Sequence, residues 1–78
     1  MATVATVTRR DVERVKTRDR DFDGHQGALL ARMAAVIAAQ RASAAGEPGA
    51  HHALRQSLVD LTAISELIVE DLPKRRRL

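Results

Sequence analysis

The sequence predicts an all-α fold: an antiparallel helical hairpin, about residues 25–45 and 49–71, preceded by a shorter charged helix, with two copies forming a dimeric four-helix bundle. Three observations predict it. Apolar residues recur every three to four positions through both long segments. The short segment AAGEPGA between them contains residues that end helices. The chain is also too small to enclose a large core alone.

Size and composition set this last limit. The chain has 78 residues, no cysteine and one aromatic residue, Phe22. It therefore has neither a disulfide nor a thiolate metal site, and a chain of this length buries only about 60% of its unfolded surface. We expect an oligomer or a larger partner to cover the remaining apolar surface.

The first helix is expected after an N-terminal arm, residues 1–8, that is either flexible or extended. Thr8 stands three residues before Asp11, which resembles a capping box with the shorter acid. Only Val12, Val15 and Phe22 are sizeable and apolar in this segment. A helix this poor in apolar residues needs another surface to lie on.

The second helix is predicted to begin with Asp23 as its cap. One of its faces is formed by large apolar residues: Leu29, Leu30, Met33, Val36 and Ile37. The other side is covered by alanine, and the positions with coiled-coil spacing form a candidate second packing face: Ala31, Ala35, Ala38 and Ala42. The alternative interpretation is that alanine, the best helix former, simply faces solvent there.

The third helix belongs to the single helical domain, residues 9–72, and is predicted to end at Pro73. Its main stripe follows a four-three alternation: Leu54, Leu58, Leu61, Ser65, Ile68 and Leu72. A weaker stripe of Val59, Ala63 and Leu67 could meet a partner or the first helix. Because the second helix is basic and the third acidic, we expect opposite charges to favour the antiparallel register of the hairpin.

Two helices leave half of their apolar surface uncovered, and pairing two hairpins solves this. The residues predicted to form the oligomer interface are the large apolar ones of both arms: Leu29, Met33, Val36, Ile37, Leu54, Leu58, Leu61 and Ile68. The first helix would then wrap onto the outside of the bundle or reach across to the other subunit.

Three alternating aspartates, Asp19, Asp21 and Asp23, precede Gly24 and resemble the start of a calcium-binding EF-hand loop. The twelfth position of that loop, normally a bidentate glutamate, is Leu30 here. The competing interpretation is structural, with Asp23 capping a helix and the other two balancing Arg18 and Arg20. We predict no metal site, and these aspartates are the candidates for calcium if one exists.

Other chemistry finds little support in the sequence. His25 begins one predicted arm while His51 and His52 begin the other, so they should lie at opposite ends of the hairpin. No cysteine nucleophile, phosphate-binding glycine loop or recognisable serine, histidine and acid spacing is present. The sequence therefore predicts no catalysis and no cofactor.

The basic tail, residues 73–78, contains four adjacent positive charges: Lys74, Arg75, Arg76 and Arg77. They can contact the phosphates of a nucleic acid, contact an acidic partner surface, or simply remain solvated. Arginines of the first helix would extend such a nucleic-acid surface: Arg9, Arg10, Arg14 and Arg18.

We therefore predict a small bacterial or phage protein, located in the cytoplasm, without a membrane segment. Its expected function is non-catalytic: a protein–protein interaction or assembly module that forms a homodimer and engages a larger protein partner. The alternative is a small nucleic-acid-binding accessory protein that uses the basic tail and the arginines of the first helix.

Overall fold

A computed structural model describes residues 7–21 and 24–75, with side chains described as far as Leu72. Three helices follow one another: α1 (Arg9–Asp19), α2 (His25–Ala44) and α3 (Ala50–Arg75). The described residues include no β-strand. The prediction of an all-α chain with a helical hairpin after a shorter helix is confirmed.

The start of α1 follows its sequence signal. The hydroxyl oxygen of Thr8 accepts a hydrogen bond from the Asp11 backbone N–H at 3.2 Å, and the hydroxyl donates to the Asp11 carboxylate at 2.8 Å. One of the first N–H groups of the helix is thereby satisfied, and the acid lies where the helix dipole favours negative charge. Thr8 is the N-cap that the sequence predicts.

Helix α2 begins at His25, as the sequence predicts, but its cap differs from expectation. Its N-cap position is occupied by Gly24, with φ of +78° and no side-chain cap, one residue later than the predicted cap. This left-handed backbone favours glycine, which has no Cβ to clash. Asp23 itself, like Phe22, lies outside the described residues.

The turn between α2 and α3 ends α2 with a Schellman motif, as the glycine in AAGEPGA indicates. The N–H of Glu47 donates to the carbonyl of Ala42 at 3.1 Å, and the N–H of Gly46 donates to that of Ser43 at 3.0 Å. Gly46 has the required positive φ, +74°. These bonds satisfy carbonyls at the end of α2 and reverse the chain.

Helix α3 is central, because α1 and α2 both pack on it. Val12 and Val15 of α1 form a buried cluster with Val59 and Ala63 of α3, and Val7 packs against its edge. The weaker stripe of α3 thus meets α1 of the same chain. In the described chain, α1 wraps onto the hairpin, and burial on α3 supplies the support that this short helix needs.

Two expectations are wrong. Helix α3 does not end before Pro73 but continues to Arg75; the fixed φ of proline is itself helical, and the helix loses one i→i−4 hydrogen bond near its end. Three acids of α3, in addition, form their ion pairs with α1 rather than with α2: Asp60 with Arg18, and Glu66 and Glu70 with Lys16.

Within residues 7–21 and 24–75, no helix combines the length and the apolar character that a bilayer crossing requires.

Candidate oligomerisation surface

One flank of α2 carries large apolar side chains that the described part of the chain leaves largely exposed. Val36 and Ala39 are buried and mark the side of α2 that faces α3. At 100° per residue, Met33 and Ile37 lie about a quarter turn or more away from that side. They are 44% and 49% exposed, and Leu30, on the same flank, is 69% exposed.

The matching flank of α3 lies on the same side of the hairpin. Gln26 of α2 and Leu72 of α3 line one small cleft together with Ile68. The edge of α2 that carries Gln26 also carries Met33, seven residues later, and Ile37, four residues after that, because these spacings keep residues on one edge of a helix. We call the combined surface the front face, formed by Leu30, Met33, Ile37, Leu61, Val69 and Leu72.

The front face is unusually apolar for a surface. Val69 is 62% exposed and Leu72 is 45% exposed, while Leu61 is half-buried. A shallow groove of about 580 Å³ runs along this side of α3, with apolar walls and two acids at its edge: Leu61, Thr62, Ser65, Glu66, Val69 and Glu70. Contiguous exposed patches of this kind mark interaction sites.

The opposite side of α3 is the one that α1 covers. Ala63 is fully buried against α1, and Ser65, two residues later, points about 200° away around the helix. Residues on the Ser65 side therefore receive no cover from α1. Within residues 7–21 and 24–72, the chain thus covers the back of α3 and leaves its front exposed.

Ion pairs hold one edge of α1 on the C-terminal half of α3. The buried ammonium of Lys16 lies 3.1 Å from the Glu66 carboxylate and also contacts Glu70. Arg9 donates to the other oxygen of Glu66 at 2.9 Å. Hydrogen bonds from Arg9, and then from Lys16, lower the pKa of Glu66 to about 2, so this carboxyl is charged across the physiological range.

The other edge of α1 is held on the N-terminal half of α3. Asp11 accepts a hydrogen bond from Arg55, and Arg18 approaches Asp60 at 3.9 Å. Because Asp11 and Arg18 point toward one half of α3 while Arg9 points toward the other, α1 crosses α3 at a steep angle instead of running alongside it.

The C-terminal end of α1 is fixed by a buried carboxylate. Asp19 accepts hydrogen bonds from Arg18 at 2.9 Å and from Arg32 of α2 at 2.6 Å. Both keep the pKa of Asp19 below its usual value, with the bond from Arg18 the larger cause. This carboxylate is thus engaged by arginines, while Asp21 is exposed and Asp23 lies outside the described residues.

Metal ligands do not converge in the part of the chain that the structure describes, where no group of three or more His, Asp or Glu side chains is close enough to hold an ion. A ring nitrogen of His25 lies 3.1 Å from the Asp19 carbonyl oxygen. His51 and His52 are exposed in the first turn of α3, at the other end of the hairpin.

The predicted interface residues fall into three groups. Met33 and Ile37 lie exposed on the front face, and Val36 is buried inside the subunit. The remaining members are half-buried: Leu29, Leu54, Leu58, Leu61 and Ile68. The predicted interface omitted three exposed residues, Leu30, Val69 and Leu72, although Leu30 and Leu72 belong to the predicted apolar faces and Val69 follows directly on one of them.

The alanine surface of α2 is largely open. Ala31, Ala35 and Ala38 are exposed and Ala42 is half-buried. None of the four covers another helix as fully as Ala39, which is 8% exposed. A second packing role for this surface stays a prediction.

Three of the four arginines proposed for nucleic-acid contact form ion pairs within the chain. Arg9 pairs with Glu66, Arg14 with Asp11, and Arg18 with Asp19. Arg10 is exposed. The side chains of the basic tail lie outside the described residues.

Comparisons with known proteins add no relative. No protein-family model, no curated protein and no solved structure matches this chain.

Proposed function

We propose that this chain is a non-catalytic interaction and assembly module that dimerises through the front face and engages a larger protein. One observation carries the proposal. Five large apolar side chains, each 44–69% exposed, occupy one side of the hairpin, while α1 covers the other. Fully burying such a side chain contributes about 1.5–3 kcal/mol, so this face gains the most from being covered.

A four-helix bundle is the arrangement that covers it. Pairing two hairpins front to front surrounds Met33 and Ile37 with side chains from a second copy, as in helix bundles whose core lies between two layers. Helix α1 does not obstruct the contact, because it packs on the back of α3. Its outer side, with Arg10 and with Arg14, whose side chain stays 73% exposed while it pairs with Asp11, then faces away from the contact and toward the larger partner.

Two adjacent substitutions test the dimer. Ile37→Glu places a charge on the front face, and Ala38→Glu places the same charge about 100° further around α2. We expect sedimentation velocity to show a monomer for Ile37→Glu and a dimer for Ala38→Glu, with both helical by circular dichroism. Dissociation by Ala38→Glu alone would move the interface to the alanine surface and contradict the proposal.

Engagement of a larger partner requires a separate test. A protein that co-purifies with the wild-type chain from its native cell should be lost when Arg10 and Arg14 are both changed to Glu, with dimerisation intact. Retention of every co-purifying protein by that variant would contradict a role for the outer side of α1.

Nucleic-acid binding stays a prediction, and the arginine pairs of α1 do not favour it. It would require the tail, because four adjacent positive charges give a salt-dependent attraction to phosphates. The test is titration with duplex DNA at several salt concentrations, with and without the last five residues. Absence of salt-dependent binding by the full chain would eliminate this function.

A further inference from the structure

We infer that the two copies pair antiparallel, with α2 against α2 and α3 against α3 of the second copy. The two-fold axis then runs across the helices, between the front faces. This inference rests on the proposed dimer and adds its orientation. In the alternative, parallel arrangement, both interhelical turns lie at the same end and α2 of each copy faces α3 of the other.

The distribution of side-chain size favours the antiparallel arrangement. The large exposed residues Leu30, Val69 and Leu72 lie toward the end where α2 begins and α3 finishes. Toward the interhelical turn, the same edge of α2 presents the less bulky Gln40 and Ala44, and Leu54 and Leu58 on the stripe of α3 are only half-buried rather than exposed. Antiparallel pairing places the end of one copy that has the large exposed side chains against the turn end of the other, which has smaller or less exposed ones, as close packing requires. Parallel pairing crowds one end and leaves a gap at the other.

Charges at the border between the α1-covered side of α3 and the front face, where Glu66 lines the groove, are self-complementary in the same arrangement. Arg55 and Glu66 lie on either side of Leu61 at nearly equal distances along the helix. A two-fold axis at Leu61 therefore brings Arg55 of each copy beside Glu66 of the other. Their side chains are 30% and 32% exposed, so each can add this contact at the rim while keeping its partner on α1.

The basic tail opposes the parallel arrangement. Helix α3 ends with Lys74 and Arg75, at the end that lies away from the interhelical turn, and two further arginines follow in the sequence. A parallel dimer would bring both sets to one end, where like charges repel. An antiparallel dimer places them at opposite ends of the bundle.

Single cysteine substitutions can report the orientation through disulfide cross-linking, because the sequence contains no cysteine. An axis level with the midpoint between Met33 and Ile37 places Leu30 of one copy opposite Gln40 of the other. The variants Leu30→Cys and Gln40→Cys should therefore form a disulfide-linked dimer when mixed and mildly oxidised. Either variant alone should not, since its two cysteines would lie about 15 Å apart along the bundle.

Two further variants complete the experiment. Leu30→Cys mixed with Ser65→Cys reports the parallel arrangement, in which α2 faces α3 of the second copy, and Arg10→Cys on α1 gives the background from random collision. We expect the 30/40 mixture to exceed this background at least tenfold in cross-linked product. Each variant is first checked by sedimentation.

The outcomes distinguish a failure of the proposed orientation from a failure of the proposed dimer. A dimer by sedimentation that cross-links in the 30/40 mixture supports the antiparallel arrangement. A dimer in which that mixture stays at background, with or without 30/65 product, overturns the orientation and leaves dimerisation standing. Monomers by sedimentation, for the wild-type chain as well, overturn the proposed dimer and its orientation together.

Discussion

The guanidinium of Arg32, on α2, lies 2.6 Å from the carboxylate of Asp19, the last residue of α1. Its other terminal nitrogen donates to the backbone carbonyl oxygen of Asp60, on α3, at 2.9 Å. One side chain thus joins all three helices. Because both charged groups are largely buried, with side chains 17% and 7% exposed, removing one leaves the other poorly compensated.

Replacement of Arg32 by alanine should therefore destabilise the protein. We expect Arg32→Ala to lower the free energy of unfolding by about 2–3 kcal/mol, the magnitude of lost hydrogen bonds to a charged group. Urea unfolding followed by circular dichroism measures it. Arg41→Ala, at an exposed position of the same helix, is the matched control and should change stability by less than about 0.5 kcal/mol. Equal effects of the two variants would contradict this role.

The stability with which α1 packs on α3 should depend on the buried apolar contact between the two helices. Val12 is 2% exposed and packs on Val59 and Ala63. Val12→Ala should weaken α1 by about 1–2 kcal/mol, so amide hydrogen exchange should accelerate more in α1 than in α2. Arg10→Ala, which alters an exposed position of α1, provides the comparison. Uniform acceleration through all three helices would show instead that α1 and the hairpin unfold as one unit.

Acidification should weaken the same attachment. The folded pKa of Glu66 is about 2, against an ordinary value of 4.5, chiefly because of its hydrogen bonds with Arg9 and Lys16. A lowered folded pKa contributes stability that is present above the unfolded pKa and lost as pH falls through the folded one. The free energy of unfolding should thus decrease between pH 5 and about pH 2.

The variant Glu66→Gln isolates this contribution. It should be less stable than the wild type at neutral pH and should lose less stability on acidification, measured by urea unfolding at each pH. Asp11, Asp19 and Glu70 also have lowered pKa values, so part of the slope should remain. An unchanged slope would exclude Glu66 as a contributor.

Two glycines should respond to alanine in opposite directions. Gly46 has a φ of +74°, and a Cβ there would meet nothing within 4 Å, so Gly46→Ala adds only backbone strain of about 1–2 kcal/mol. Gly27 lies inside α2 with equally open surroundings, and Gly27→Ala should stabilise by about 0.5–1 kcal/mol. Thermal unfolding of both variants measures the pair. Destabilisation by Gly27→Ala would indicate a close contact at that position.

The sequence predicted what local chemistry determines. Thr8 and Gly46 mark helix ends through bonds to nearby backbone, and the apolar period identifies helices from neighbours along the chain. The steep crossing of α1, and the pairing of Lys16 with Glu66, depend on contacts about 50 residues apart in sequence. Periodicity carries no information about such distances, so it did not show that Glu66 and Glu70 pair with α1.

The candidate surface was predictable only in part. Met33 and Ile37 could be assigned to an apolar face, but the sequence did not show that Val36, on the same face, is buried within the subunit. That division depends on which flank of α2 meets α3, which is a property of tertiary packing. The high exposure of Leu30 and Val69 follows from the same packing.

Sedimentation velocity of the unmodified chain, from low to high micromolar concentration, tests the central claim most directly. Because the front face leaves Leu30 and Val69 more than 60% exposed in a single subunit, we predict a sedimentation coefficient that rises with concentration to that of a dimer. A folded monomer throughout that range, with full helicity and no partner present, would contradict the account.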